Sequence, residues 1–191
     1  MKVIRTEIPE VVIIEPRIFG DRRGYFFESF SERDFTENVL GVRFVQDNES
    51  RSCRGVVRGL HFQLPPHAQG KLVRVVKGRV IDVAVDIRRG SPTFGKHVAV
   101  ELSEDNHLQL FIPRGFAHGF SVLSEDAVLQ YKCDEYYHPE SEGALAWDDP
   151  DIAVDWKISA EEVILSARDS GNVRLRDADR LFDYSEDYYK G

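Results

Sequence analysis

The sequence predicts a fold dominated by β-strands, of the sandwich, barrel or jelly-roll type. Its main feature is a series of short runs of β-branched residues separated by turn signals, and helix signals are few. The chain has 191 residues, which is enough for one well-buried core and too few for two ordinary domains. We therefore predict a single all-β-dominated domain over residues 1–191, with a few short peripheral helices.

The strands predicted from these runs begin near the N-terminus and continue through the middle of the chain. They cover residues 11–14, 42–45, 72–76, 80–85, 97–102, 108–112 and 127–131. Turn signals separate three neighbouring pairs of strands, at Lys77-Gly78, at residues 103–106 and at residues 123–126. This spacing predicts successive hairpins, as in a sandwich, barrel or jelly roll.

Two capping-box patterns predict where helical segments begin. Ser31 stands three residues before Asp34, ahead of a short apolar stretch that Gly41 ends. Ser159 stands three residues before Glu162 and predicts a second helical start, continuing through Leu165. Both helices are expected to be peripheral.

Composition and charge narrow the class of ligand. The net charge of −8 argues against nucleic acid, because phosphate binding along a strand needs concentrated Lys and Arg. No apolar run approaches the roughly 18 residues of a membrane span. Cys53 and Cys133 lack the spacing of a metal site and the density of a disulfide scaffold, so a cytoplasmic location is expected. A small phosphorylated ligand would suit the basic residues of the first half, Arg22, Arg23, Arg51, Arg54, Arg58, Lys71 and Arg74.

Residues 55–71 and 113–118 resemble the two motifs of the cupin superfamily, which implies a cupin jelly-roll β-barrel. In cupins these motifs normally supply three histidines and a glutamate as metal ligands. Here His61 and His118 are present, whereas Gln63 stands in place of the second histidine and Lys71 in place of the glutamate. Because a cation replaces a carboxylate, we expect no catalytic metal and no cofactor.

The residues that remain in this motif suit proton transfer beside a carbonyl. His61 can act as a general base near neutral pH, and Lys71 can stabilise the negative charge of an enolate. Inverting a stereocentre requires the proton to return on the opposite face, so a second group must face His61. The run at residues 128–133 offers Tyr131 for this role, although spacing alone does not fix that assignment.

Several longer blocks occur in an order that is similar to the dTDP-4-dehydrorhamnose 3,5-epimerase family, over nearly the whole chain. They are residues 20–26, 44–48, 54–63, 70–75, 112–120, 131–142 and 147–150. The resemblance implies an isomerase of dTDP-L-rhamnose biosynthesis. It would convert dTDP-4-dehydro-6-deoxy-D-glucose to dTDP-4-dehydro-L-rhamnose by metal-independent epimerisation at carbons 3 and 5.

The same resemblance implies residue roles. His61 would remove the protons, Tyr131 would return at least one from the other face, and Asp169 would hold the tautomer of His61. Tyr137 would stack on the thymine. The substrate contacts would be Arg23, Glu28, Gln46, Asp47, Asn48, Arg58, Lys71, His118 and Glu142.

The family resemblance also implies a homodimer in which an N-terminal strand is exchanged. Arg23 and Glu28 would then reach the pocket of the partner. One departure from the family pattern is Arg168, which stands where lysine is usual before Asp169. Arginine keeps the positive charge and changes its shape and reach, so ligand contact at this position is an expectation to test.

Three other functions stay open at the level of sequence. A 5-epimerase or 3-epimerase of a related dTDP-4-keto-deoxysugar would share the base and stop after one inversion. A metal-dependent cupin is disfavoured by Gln63 and Lys71. A non-catalytic sugar-nucleotide-binding cupin would bind the substrate without turnover.

Overall fold

The computed structural model describes residues 1–190, and β-strands form most of its regular structure. The strands are β1 (Lys2–Arg5), β2 (Val12–Glu15), β3 (Phe19–Asp21), β4 (Gly24–Phe26), β5 (Gln46–Cys53), β6 (Val57–Gln63), β7 (Lys71–Lys77), β8 (Arg79–Asp86), β9 (Arg88–Arg89), β10 (His97–Ser103), β11 (Gln109–Ile112), β12 (Phe116–Val122), β13 (Asp126–Cys133), β14 (Glu142–Ala144) and β15 (Phe182–Asp183). The helical elements are α1 (Glu32–Asn38) and the 3₁₀ turns Pro139–Ser141, Ala160–Glu162, Asp169–Gly171 and Leu175–Asp177.

Two large antiparallel sheets form the body of the fold. One sheet has the order β1-β2-β11-β7-β13-β5, and the other has the order β10-β8-β12-β6-β14. The predicted turns between β7 and β8, β10 and β11, and β12 and β13 are present, but each joins strands of different sheets. The predicted hairpins are therefore wrong at these turns, whereas the predicted jelly-roll class is confirmed. Crossing between sheets at each turn lets both sheets bury one face against a shared core.

The main core lies between the two sheets. Val73 and Leu129 from the first sheet and Ala84 and Phe120 from the second belong to one cluster of buried side chains. The outer face of the first sheet packs on Phe35 of α1. The outer face of the second sheet packs on the C-terminal segment through Leu145, Ile152, Trp156, Leu175 and Phe182.

The strand predicted at residues 42–45 is wrong, because these residues are irregular and the strand begins at Gln46. Phe44 instead packs edge-on against Phe30 and Phe35 beside α1. The real strand, β5, alternates between half-buried and exposed polar residues. Its polar inner face lines a cavity, so it lacks the apolar period that marks a strand in the sequence.

Helices are short. The predicted helix start at Ser31 is confirmed: its hydroxyl accepts a hydrogen bond from the Asp34 amide at 3.3 Å, which is one half of a capping box, and α1 follows. At Ser159 the capping box is also formed, but it starts only the 3₁₀ turn Ala160–Glu162. Ile164 forms a β-bridge with Val56, and its amide donates to the carbonyl oxygen of Gly55, so the predicted helix through Leu165 is wrong. Across residues 1–190, no helix has both the length and the apolar character needed to cross a membrane.

Strands β6 and β12 approach each other unusually closely at Gly59. The φ angle of Gly59 is +133°, and a Cβ atom there would lie 2.5 Å from the Cα of Gly119 and 2.9 Å from the carbonyl oxygen of His118. Both neighbours are backbone, which cannot move aside as a flexible side chain can. This close approach sets the path of β6 two residues before His61.

We expect Gly59→Ala to lower the free energy of unfolding by at least about 1–3 kcal/mol, because alanine meets both a strained φ and backbone atoms. Urea unfolding followed by circular dichroism measures the change. Gly171→Ala is the matched control, since nothing lies within 4 Å of a Cβ added there. Equal stability of the two variants would show that β6 tolerates a side chain at position 59.

Candidate active site

A cavity of about 260 Å³ opens between the two sheets at one end of the fold. Its lining is mostly polar, in contrast to the apolar core that continues behind it. The lining residues are Gln46, Asn48, His61, Phe62, Gln63, Gln69, Lys71, Tyr131, Tyr137 and Glu142. The predicted residues His61, Lys71 and Tyr131 therefore meet in one cavity.

Strand pairing explains why these side chains meet. Residues that lie directly opposite in paired strands point to the same side of a sheet. His61 of β6 pairs with His118 of β12, which pairs with the core residue Ala84 of β8. Tyr131 of β13 pairs with the core residue Val73 of β7. His61 and Tyr131 thus face the cavity from opposite sheets.

His61 is oriented by a buried carboxylate from the C-terminal segment. Its Nε2 lies 2.5 Å from Oδ1 of Asp169, which is almost fully buried at the start of the 3₁₀ turn Asp169–Gly171. The Ser166 hydroxyl donates to the other Asp169 oxygen at 2.8 Å, and the Asp169 amide donates back to the Ser166 hydroxyl. This network holds the carboxylate in place. Because Nε2 of His61 is bonded to Asp169, Nδ1 is the ring nitrogen that remains to accept a proton.

Burial lowers the pKa of His61 below its ordinary value, although the hydrogen bond and charge of Asp169 oppose that shift. The positive charge of Lys71 lowers the pKa of His61 further. A lowered pKa keeps the imidazole neutral at neutral pH. His61 is therefore in the form that can accept a proton.

Lys71 and Tyr131 lie together on the sheet opposite His61. The Lys71 ammonium is 5.8 Å from the centroid of the Tyr131 ring. Burial lowers the pKa of Lys71, whereas burial raises the pKa of Tyr131. Both shifts follow from one cause, because removal from water disfavours the ammonium ion and the phenolate ion alike. Tyr131 consequently keeps its proton over a wide pH range.

Three predicted residues meet at the mouth of the cavity. The Tyr137 hydroxyl donates to Oε2 of Glu142 at 2.8 Å, and Arg168 forms an ion pair with the same carboxylate. Burial by itself would raise the pKa of Glu142, but the hydrogen bonds from Arg168 and Tyr137 outweigh it and lower that pKa. Glu142 thus stays ionised, and Tyr137 presents an exposed ring at the mouth.

A second histidine lies behind the first. His118 is buried, and its Nε2 lies 2.8 Å from Oδ1 of Asp82, a fully buried residue of β8. The other Asp82 oxygen has no hydrogen-bond partner among residues 1–190. Sequence reasoning missed Asp82, because a single aspartate in an apolar run carries no motif. Its negative charge raises the pKa of Lys71, against the effect of burial.

The remaining predicted residues divide between the cavity and other surfaces. Gln46 and Asn48 line the cavity, whereas Asp47 lies on the opposite face of β5, with its carboxylate 2.9 Å from the Lys132 ammonium. Arg58 donates to the Ser52 hydroxyl at 3.0 Å, and its charge lowers the pKa of Tyr131 against the larger effect of burial.

Two predicted residues lie apart from the cavity of their own chain. Arg23 is exposed in the β3–β4 hairpin, where it pairs with Asp21 at 2.6 Å. Glu28 lines a separate surface pocket with residues of the N-terminus and α1. The described chain does not bring Arg23 or Glu28 to His61.

The residues at the cupin metal positions do not form a metal site. The amide of Gln63 donates to the carbonyl oxygens of His67 and Tyr136 and accepts a hydrogen bond from the His138 amide. Its polar atoms are therefore already engaged by backbone groups. Lys71 adds a cation where a carboxylate ligand would be needed, so this residue set does not fit a divalent metal ion.

Comparisons with known proteins identify close relatives. Residues 5–177 match the family model described as dTDP-4-dehydrorhamnose 3,5-epimerase. The enzyme of that name from Escherichia coli strain K12 is 56% identical over 183 residues, covering 95% of this chain and 98% of the relative.

Solved structures agree in fold. A dTDP-6-deoxy-D-glucose-3,5-epimerase from Legionella pneumophila, in complex with dTDP-4-keto-L-rhamnose, has a TM-score of 0.92 and 53% identity, covering 96% of this chain and 98% of that chain. A 3'-monoepimerase from Streptomyces bikiniensis, in complex with dTDP-quinovose, has a TM-score of 0.89 and 33% identity, covering 95% and 93%. The same fold thus occurs in single and double epimerases.

We expect Asp169→Asn to lower the pKa of His61 further, because the substitution removes the negative charge that stabilises the imidazolium ion. Nuclear magnetic resonance titration of the histidine ring signals measures the shift. The His61→Ala spectrum assigns the His61 signal, and His97 serves as the internal control. A pKa of His61 that rises or stays constant would contradict the coupling between the two residues.

Proposed function

The chain belongs to the dTDP-4-dehydrorhamnose 3,5-epimerase family, and from this premise we propose how its site performs that reaction. The substrate is dTDP-4-dehydro-6-deoxy-D-glucose and the product is dTDP-4-dehydro-L-rhamnose, a step of dTDP-L-rhamnose biosynthesis. Both inverted carbons flank the ketone at carbon 4. Their protons are acidic because the carbonyl can accept the electron pair that each proton leaves behind.

The placement of His61 and Tyr131 on opposite walls of one cavity supports this proposal most directly. Inversion requires a proton to leave one face of a carbon and another to arrive at the opposite face. A sugar ring held between the two sheets would present one face to each residue. A cavity with acid and base on the same wall would return the original configuration.

In the first step, His61 removes the proton from the carbon beside the ketone. The C–H electron pair moves into the ring, and the carbon 4 carbonyl oxygen becomes an enolate oxygen. The neutral imidazole becomes an imidazolium ion, which the buried Asp169 carboxylate stabilises at 2.5 Å. General-base catalysis of this kind contributes roughly 10²–10⁴ in rate.

Lys71 stabilises the enolate in this proposal. Its ammonium lies in the cavity, 5.8 Å from the Tyr131 ring centroid, and forms no ion pair within residues 1–190, so its charge is available to an anionic oxygen. Lys71 is half-buried, and removal from water makes a fixed charge worth more than it is in solution. The neighbouring Asp82 opposes the loss of the Lys71 proton that burial favours.

In the second step, Tyr131 donates its phenolic proton to the opposite face of the carbon. The enolate electron pair forms the new C–H bond and the ketone is restored. Exchange with solvent returns a proton to Tyr131 and removes one from His61. The cycle then repeats at the second carbon, so carbons 3 and 5 are inverted in turn.

The nucleotide binds at the mouth of the cavity in this proposal. The exposed ring of Tyr137 offers a flat surface for the thymine. Its hydroxyl donates a hydrogen bond to Glu142, which in turn forms an ion pair with Arg168. Arg168 also supplies a positive charge for the diphosphate, as does Arg58. The remaining contacts with the sugar would come from Gln46, Asn48 and His118. Of these, His118 lies beside His61 on the neighbouring strand.

A second copy of the chain completes the site in our proposal. Strand β1 lies at the edge of its sheet, so one side of the strand can pair with another chain. The neighbouring hairpin exposes Ile18, Phe19, Tyr25 and Phe26, of which Phe26 is 70% exposed. Exchange of this N-terminal region between two chains would bury the aromatic side chains and bring Arg23 and Glu28 to the partner's cavity.

We also propose that the reaction takes place in the cytoplasm. Cys53 and Cys133 are both free thiols, and Cys133 is buried. Free thiols are typical of proteins in a reducing compartment.

Incubation of dTDP-4-keto-6-deoxyglucose with the protein in deuterium oxide tests the reaction. We expect the proton signals of carbon 3 and carbon 5 both to disappear, because each carbon takes its new proton from solvent-equilibrated groups. Proton nuclear magnetic resonance follows the two signals separately. His61→Ala should slow both losses by roughly 10²–10⁴.

Loss of one signal would assign the chain to the single epimerases, of which the Streptomyces bikiniensis relative is an example. Loss of neither signal, with substrate still bound, would favour a non-catalytic sugar-nucleotide-binding cupin. The rate at saturating substrate is expected to stay unchanged after addition of a chelator, since no proton-transfer step uses a metal. Reversible loss of that saturated rate with the chelator would contradict the metal-independent mechanism.

Mixing two inactive or weakened variants tests the shared site. His61→Ala lacks the base, and Arg23→Glu repels the diphosphate. If Arg23 serves the partner's cavity, random pairing on co-expression restores about a quarter of the wild-type activity, because half the dimers are mixed and each has one intact site. If Arg23 serves its own cavity, no mixed dimer has an intact site and activity is not restored. Light scattering on the same samples checks that they are dimers.

A further inference from the structure

A group of metal-binding side chains lies outside the cavity that holds His61. His67, Glu135 and His138 each offer a ligand atom, and these atoms all lie within 4.8 Å of one another. The three side chains are half-buried. The rings of His67 and His138 are stacked, with centroids 3.5 Å apart and an angle of 5° between their planes.

The backbone that carries these ligands is held by two glutamine side chains. Gln63 bonds to the carbonyl oxygen of His67 at 2.9 Å and to the amide of His138 at 2.8 Å. Gln69 donates to the carbonyl oxygen of Glu135 at 2.7 Å. The backbone at all three positions is therefore held before any ion arrives. A held backbone loses less entropy on binding.

The donor set selects a class of ion. Two imidazoles and one carboxylate suit Zn²⁺ and its neighbours in the first transition row, whereas Mg²⁺ and Ca²⁺ prefer oxygen ligands alone. Bonds to zinc of about 2.0–2.2 Å place tetrahedral ligand atoms roughly 3.3–3.5 Å apart. Imidazole binds a metal ion in the plane of its ring, so the stacked rings of His67 and His138 must turn out of parallel for both to reach one ion.

His138 has the supporting contact that a metal-binding histidine usually has. Its Nδ1 lies 3.1 Å from Oε1 of Glu140, so the other nitrogen, Nε2, is left to bind an ion. Carboxylates that hold a ligand ring in this way raise metal affinity by roughly 10–100-fold. Glu135 has one oxygen bonded to the Tyr136 amide at 2.9 Å, and its second oxygen is the one suited to an ion.

We propose that His67, Glu135 and His138 form a binding site for a divalent transition-metal ion, with Zn²⁺ as the probe ion. The ion joins the turn after β6 to the segment after β13, which carries Tyr137 between two of the ligands. Its fourth position is open to water. The site is separate from the proton chemistry of His61 and its role is to fix the mouth of the cavity.

Isothermal titration of Zn²⁺ into untagged, chelator-treated protein without substrate tests the site. We expect one ion per chain. His67→Ala and His138→Ala should each weaken binding by more than roughly tenfold, and Glu140→Gln should weaken it by roughly tenfold. His97→Ala, which removes a histidine outside the cluster, and His61→Ala should leave affinity and stoichiometry unchanged.

Wild-type binding no tighter than that of the His67→Ala, His138→Ala double variant would overturn the proposal. Loss of binding in His61→Ala would also overturn it, by placing the ion in the cavity instead. Circular dichroism shows that each variant is folded, so weakened binding is not mistaken for unfolding. Proton exchange at carbons 3 and 5 is measured separately, so a failure of the metal site is distinguishable from a failure of the proposed function.

Discussion

The two β-sheets pack face to face through a shared apolar core, and this packing decides where the reactive side chains lie. Val73 and Leu129 on one sheet oppose Ala84 and Phe120 on the other. Because side chains alternate along a strand, the residues that continue these inward rows also point inward. At one end the rows change from apolar to polar, and His61 and Tyr131 meet there from opposite walls.

Placing charged groups at the edge of an apolar core has an energetic cost that shapes their chemistry. Burial disfavours every charged form, so it lowers the pKa of His61 and Lys71 and raises that of Tyr131. Nearby carboxylates offset part of this cost, Asp169 for His61 and Asp82 for Lys71. The balance keeps an uncharged base, a cation and a protonated phenol around one cavity, and each is the form that proton transfer through an enolate needs.

The sequence predicts most of the buried strands of this fold, but it does not predict how the strands are connected between the two sheets. Apolar runs mark the buried strands β7, β8 and β11, but polar β5 has no such period, and the nearest apolar run, at residues 42–45, lies before its start. Turn signals mark chain reversals without indicating which sheet the next strand joins, so the sequence does not distinguish a crossing between sheets from a hairpin. His61 and Lys71 stand in a motif, whereas Asp82 and the pair His67 and His138 become visible only when distant strands and loops are brought together.

The contact between His61 and Asp169 joins residues 108 positions apart, and it has a consequence for the synthesis of the chain. A ribosome that has translated as far as β14 has already supplied every strand of the two large sheets. The carboxylate that orients the base is still unmade at that point. A segment that is translated after both sheets therefore completes the proton-transfer machinery, and shortened products that end before Asp169 lack its orienting group even if they keep both walls of the cavity.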